Sequence, residues 1–129
     1  MTGVRSLFVA AVGGALLLAA PAAAQTQAQM NASAGAVYQR ADAAMNAQWK
    51  RTYAYMKGRD AQDRGRVKFG YAAATLASQR AWIAFRDAQC KIESGEAAGG
   101  SLQPLVRAQC LARLTQERTT QLRNLMWSR

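Results

Sequence analysis

The chain has 129 residues, 50% of them hydrophobic, which is enough for one small domain and too few for several. Seventeen Lys and Arg against seven Asp and Glu give a net charge of +10, a balance that favours contact with anionic surfaces. The absence of histidine removes Ser-His and Cys-His nucleophile systems and the commonest metal ligand.

Residues 1–24 have the three-part layout of a secretory signal peptide. Arg5 provides the charge, Leu7 to Ala20 the apolar run, and Pro21-Ala22-Ala23-Ala24 the small-residue cleavage site. The apolar run is shorter than the roughly 20 residues of an ordinary membrane span. No cysteine follows it, so no lipid attachment site is expected. Cleavage after Ala24 removes Arg5 and no acid, leaving sixteen basic and seven acidic residues and a net charge of +9. The mature chain is expected to be periplasmic or secreted and not membrane-spanning.

Residues 25–33 are polar and rich in Gln and Ala, and read as a flexible, frayed terminus. From Val37 the spacing predicts a first helix, with Val37, Ala41, Met45, Trp49, Tyr53 and Met56 along one stripe. Lys57-Gly58-Arg59-Asp60 reads as its end. Gly58 would be the C-terminal cap and Asp60 the N-cap of the next helix. A second helical segment covers about 62–93, with apolar content from Val67, Tyr71, Ala74, Leu76, Trp82, Ile83, Phe85 and Cys90. Gly65 and Gly70 each weaken it by about 1 kcal/mol relative to Ala. A break near Gly70 would turn three helices into four.

Ser94-Gly95 ends that segment, and residues 95–100 read as a flexible connection. Ser101 is a good N-cap, and Pro104 falls in a first turn, where a missing N–H costs little. A third helix then runs to about Trp127. Leu105, Leu111, Leu114, Leu122 and Leu125 mark its buried side, with Ala108 and Arg118 in the same stripe. No strand-like alternation appears. The fold class is all-α, a small three-helix bundle.

Cys90 and Cys110 are the only cysteines, and in an exported chain an isolated pair reads as one disulfide. Cys90 lies near the end of the second helix and Cys110 about two turns into the third. Antiparallel packing can bring such positions to bonding distance. A loop of this size is worth roughly 3 kcal/mol in the chain-entropy estimate. A domain this small buries a modest fraction of its surface, so the staple matters.

No cluster of ligands has metal-binding spacing, and no phosphate-binding Gly-rich loop follows a strand, so no metal or cofactor is expected. Asp60 and Asp63 are close in sequence but read as capping and first-turn residues, not as a catalytic pair. An enzyme is not the expectation. Two clusters remain. Trp82, Arg86 and Asp87 lie within about a turn on one helix, with Thr115 and Arg118 three residues apart on another. They form either a polar–aromatic patch for a ligand or an architectural layer in which the arginines find partners. The second reading is preferred, because buried Arg needs partners. Lys57, Arg59, Arg64, Arg66 and Lys68 form the densest basic region, flanked by Tyr53, Tyr55, Phe69 and Tyr71. Such a group could hold an anion. A solvated basic loop is the default reading. As a site, no nucleic-acid motif accompanies it and export argues against that partner, so an anionic envelope polymer is the better fit.

The run Gln79-Arg80-Ala81-Trp82, with Arg86-Asp87 and Cys90 at its spacing, resembles the central signature of LprI-type lysozyme-inhibitor domains. Gly99-Gly100-Ser101, Cys110, Leu114-Thr115, Arg118 and Leu122 agree with its second half, so the resemblance covers about residues 72–125. It implies a helical exported domain over 34–129 with a Cys90–Cys110 bridge. It also implies lysozyme, or another envelope protein, as the partner. Trp82, Arg86, Thr115 and Arg118 match the signature, which describes either a fold or a site. A charge of +9 opposes contact with a basic lysozyme. The alternative is a non-catalytic, basic envelope-binding module on anionic cell-wall or membrane polymers.

Overall fold

Three runs of helix-forming sequence fold into α1 (Ala22–Gln62), α2 (Tyr71–Glu93) and α3 (Gln103–Asn124) in a computed structural model that describes residues 22–127. A short 3-10 helix, Ser94–Ala97, follows α2. Among the described residues there is no strand. The expected leader, residues 1–24, lies outside the described residues except for its last three positions.

α1 and α3 run parallel. Asn31 Nδ2 donates to the Ser101 carbonyl at 3.2 Å near the start of both helices, and Thr52 Oγ1 donates to the Leu122 carbonyl at 2.9 Å near their ends. α2 runs back against both. This up-down-up order places Gln79 beside Arg118 and Cys90 beside Cys110. The disulfide joins Cys90 to Cys110 with Cα atoms 5.5 Å apart, inside the usual range. Cys90, Cys110, Leu111 and Leu114 form a buried cluster, with Tyr38 and Trp82 packed against it.

Several boundaries differ from the expectation. Residues 25–33, expected to fray, belong to α1. Ala, Gln and Met are good helix formers, and Ala34 and the Asn31–Ser101 bond fasten this end to the start of α3. α1 also runs through Gly58 to Gln62, so Gly58 is an interior residue and not a cap. α2 begins only at Tyr71, directly after Gly70, whose φ of 77° is left-handed. Gly70 therefore marks the start of α2 and not a break inside it, which leaves three main helices. The 95–100 connection holds part of the 3-10 helix and a turn. The residue before α3 is Leu102, so Ser101 is not its N-cap.

The buried face of α1 is also rotated. Ala34, Ala41, Met45, Gln48, Thr52 and Met56 point inward, whereas Val37 is exposed and Trp49 stacks on Tyr53 along the edge at 5.1 Å. Gln48 and Thr52 can be buried because they bond each other at 3.1 Å and Thr52 bonds α3. Among the described residues, no helix is long and apolar enough to cross a membrane.

Candidate functional site

The inward face of α2 is polar. Thr75, Gln79, Arg86 and Cys90 are buried, with Trp82 half-buried on the same stripe. Arg86 lies over the Trp82 ring at 5.2 Å and over the Tyr38 ring of α1 at 5.6 Å. Its Nε donates to Asp87 at 2.9 Å, and its Nη1 reaches Asp42 at 3.3 Å and Thr115 Oγ1 at 3.4 Å. Burial alone would lower the Arg86 pKa. The Asp87 bond, Tyr38 and Asp42 outweigh it and hold the guanidinium above its ordinary value.

Arg118 lies on the other side of Trp82, 5.7 Å from its ring. Its partners are all neutral: Gln79 Oε1 at 3.0 Å, Ser78 Oγ at 2.9 Å and Gln121 Oε1 at 3.2 Å. Among the described residues it has no carboxylate within ion-pair distance, and burial pushes its pKa down. Trp82, Arg86, Thr115 and Arg118 therefore meet in one layer where the three helices converge. Asp87 is at its rim, its side chain 49% exposed. The layer is internally satisfied, and no buried side-chain polar atom among the described residues lacks a partner. Its chemistry is that of a packed polar core: cation–π contacts and charge-assisted bonds that fix helix register.

The sequence reading missed Tyr38, Asp42, Gln79 and Ser78 as partners in this layer. A signal existed for two of them. Tyr38 and Asp42 are one turn apart on α1, an aromatic and an acid on one face, which is the complement of Arg86. Glu117, the residue just before Arg118, faces Arg113 at 3.7 Å.

The basic residues gather at the opposite end of the hairpin formed by α1 and α2. Arg59, Arg64, Gln62, Asp63 and Tyr71 line an open recess of about 350 Å³. Arg59 lies over the rings of Tyr71 at 4.9 Å and Trp127 at 5.5 Å. A hydrogen bond to the Tyr71 hydroxyl is the main cause of its raised pKa. Lys57 sits apart, over the Tyr53 ring at 5.4 Å. Lys68 turns back to donate to the Asp63 carbonyl, while Arg66 is exposed on the loop. None of these five cations is in an ion pair among the described residues.

Two acids build this corner from within. Asp60 accepts the Tyr71 N–H at 2.6 Å and the Ala72 N–H at 2.9 Å, so it caps α2 across the loop. Asp63 accepts the Gly65 N–H at 2.9 Å and the Phe69 N–H at 3.2 Å. Those two bonds, more than Lys68 or Arg59, hold its carboxyl below the usual range. Both acids spend their carboxylate oxygens on backbone N–H groups.

A second depression, about 320 Å³ and mainly apolar, lies between α1 and α3 beside Met30, Val37, Leu105 and Ala112. No group of His, Cys, Asp and Glu that could hold a metal ion is present among the described residues.

Comparison with known proteins agrees with this architecture. A family profile described as "Lysozyme inhibitor LprI" matches residues 19–122. An uncharacterised protein of Rhizobium meliloti strain 1021 is 40% identical over 108 residues, covering 81% of this chain and 77% of that protein. The crystal structure of a DUF1311-family protein from Pseudomonas putida KT2440 shares the fold, with a TM-score of 0.66 at 24% identity. The match covers 78% of this chain and 94% of that one. The profile spans all of α2, nearly all of α3 and every residue of the Trp82 layer, and on that extent the chain belongs to the LprI lysozyme-inhibitor family.

Proposed function

We propose that this protein is an exported, non-catalytic inhibitor that binds lysozyme by direct protein contact. The observation that carries this reading is the family match over residues 19–122, together with a core that needs no ligand to be complete. Trp82, Arg86, Thr115 and Arg118 act in it as architecture, because Arg86, Thr115 and Arg118 bond across helices and Trp82 packs between the two guanidinium groups. Contact with lysozyme then falls to the surface. The leader over residues 1–24, cleaved after Ala24, delivers the chain to the periplasm or beyond, where the Cys90–Cys110 bond persists.

The test is a titration of the oxidised protein, residues 25–129, against lysozyme clearing a cell-wall suspension in moderate salt. The expected result is a saturable loss of rate at about micromolar protein, the affinity of a modest specific interface. An unchanged rate overturns the reading.

A further inference from the structure

The loop between α1 and α2, residues 63–70, presents an unusual surface. Val67 is 87% exposed and Phe69 is 67% exposed, two large apolar side chains held in water. Arg64, Arg66 and Lys68 alternate with them, and none of the three is in an ion pair among the described residues. The loop is nonetheless held in shape. Asp63 accepts N–H bonds from both Gly65 and Phe69, Lys68 folds onto the Asp63 carbonyl, and Asp60 pins the residues just beyond the loop. A loop fixed before it binds loses less conformational entropy on docking.

We infer that this loop is the lysozyme-contacting element, and that Arg66 and Lys68, with Val67 and Phe69 between and beside them, dock at the two catalytic carboxylates of the lysozyme cleft. The inference rests on the inhibitor reading above and names the surface that performs it. Glycosidases of this type place two carboxyl groups on either side of the scissile bond, one of them in an apolar pocket. A cation next to an exposed apolar side chain is the chemical complement of that pair. The placement also answers the charge problem. A mature body with net charge +9 repels a basic partner over most of its surface, but a narrow projecting loop meets only the cleft, where acids converge. Insertion there blocks the substrate, so inhibition is competitive.

The experiment compares three oxidised proteins on a soluble chito-oligosaccharide substrate: the wild type, the loop variant Arg66→Glu/Lys68→Glu, and a variant with the same charge change elsewhere, Arg40→Glu/Arg107→Glu. All four positions are exposed and outside the ion pairs. Thermal melts verify that each variant folds. The expected result is a wild type that raises the apparent KM without changing kcat. The loop variant should need about tenfold more protein or higher for the same effect, and the control less than about threefold more. A wild type that inhibits, with loop and control variants equally weakened or inhibition that is not competitive, overturns the loop assignment and leaves the inhibitor reading standing. A wild type that does not inhibit overturns both. Binding to phosphatidylglycerol vesicles that the loop substitutions abolish, with inhibition unchanged, assigns the loop to a membrane surface and also overturns it.

Discussion

Arg118 and Arg86 flank the same Trp82 ring, yet they are held in different ways. Arg86 is matched by carboxylates from two helices, Asp87 and Asp42, whereas Arg118 rests on Gln79, Ser78 and Gln121. A buried guanidinium with neutral acceptors depends on every one of them, because the alternative is an unsatisfied charge. The Gln79–Arg118 bond is therefore expected to show strong coupling. Arg118→Met leaves the buried Gln79 oxygen without its donor and should cost about 1–3 kcal/mol; Gln79→Met should cost a similar amount. The double substitution should cost less than the sum of the two by about 1 kcal/mol, measured by urea unfolding in a double-mutant cycle. Additive losses would mean that the bond contributes nothing beyond its parts. The motif spacing identified Trp82, Arg86 and Arg118 as belonging together. Thr115 was grouped with them too, but Gln79, Ser78 and Gln121 were not legible as partners of Arg118, because Gln and Ser read as surface residues until a specific donor is placed opposite them.

At the level of elements, stop signals in the sequence misled where several coincided. Lys57-Gly58-Arg59-Asp60 has the composition of a helix end, but the left-handed glycine between α1 and α2 is Gly70, and α1 continues to Gln62. The true end is set by Asp60 and Asp63, which capture the N–H groups of the loop and of the first turn of α2. Asp60 was legible as a cap, but not its reach across the loop to Tyr71. The inward face of α2 was hidden for a related reason. Apolar content pointed to Ile83 and Phe85, which are 38% and 53% exposed, while Thr75, Gln79 and Arg86 are buried. The two roles for Gly58 make opposite predictions. A left-handed cap would lose stability on substitution by Ala. An exposed interior helical glycine with open space around its Cβ position should gain about 0.5–1 kcal/mol, since Ala restricts the unfolded chain and favours helix. Thermal melts of Gly58→Ala decide it, with a raised Tm expected and a lowered one arguing for the cap.

For the whole molecule, the order of elements makes the disulfide a long-range constraint and not a local clip. Cys90 ends the α2 stripe and Cys110 begins the buried run of α3, so the bond closes the loop that contains the 3-10 helix and the turn before α3. Both half-cystines are buried in the cluster with Leu111 and Leu114. The same junction carries an ion pair, Arg113 to Glu93 at 2.9 Å, and Glu93 is held below the usual carboxylate range by Gln89 first and by Arg113 second. That pair is solvent-exposed and adds little, so it cannot replace the covalent bond. α1 has no covalent link to either partner. It is held by packing, by the Asp42–Arg86 ion pair and by bonds that include those of Thr52, Asn31 and Asp60. Cys90→Ser should therefore loosen the junction of α2 and α3 and lower stability by about 3 kcal/mol through restored freedom of the unfolded chain. In a domain of this size that corresponds to a Tm lower by roughly 12–24 °C. The wild type under reducing agent should fall by a similar amount, and Cys90→Ser should be insensitive to reductant. A variant that melts with the oxidised wild type would show that helix packing alone fixes the junction, and that the bond records the compartment without stabilising the fold.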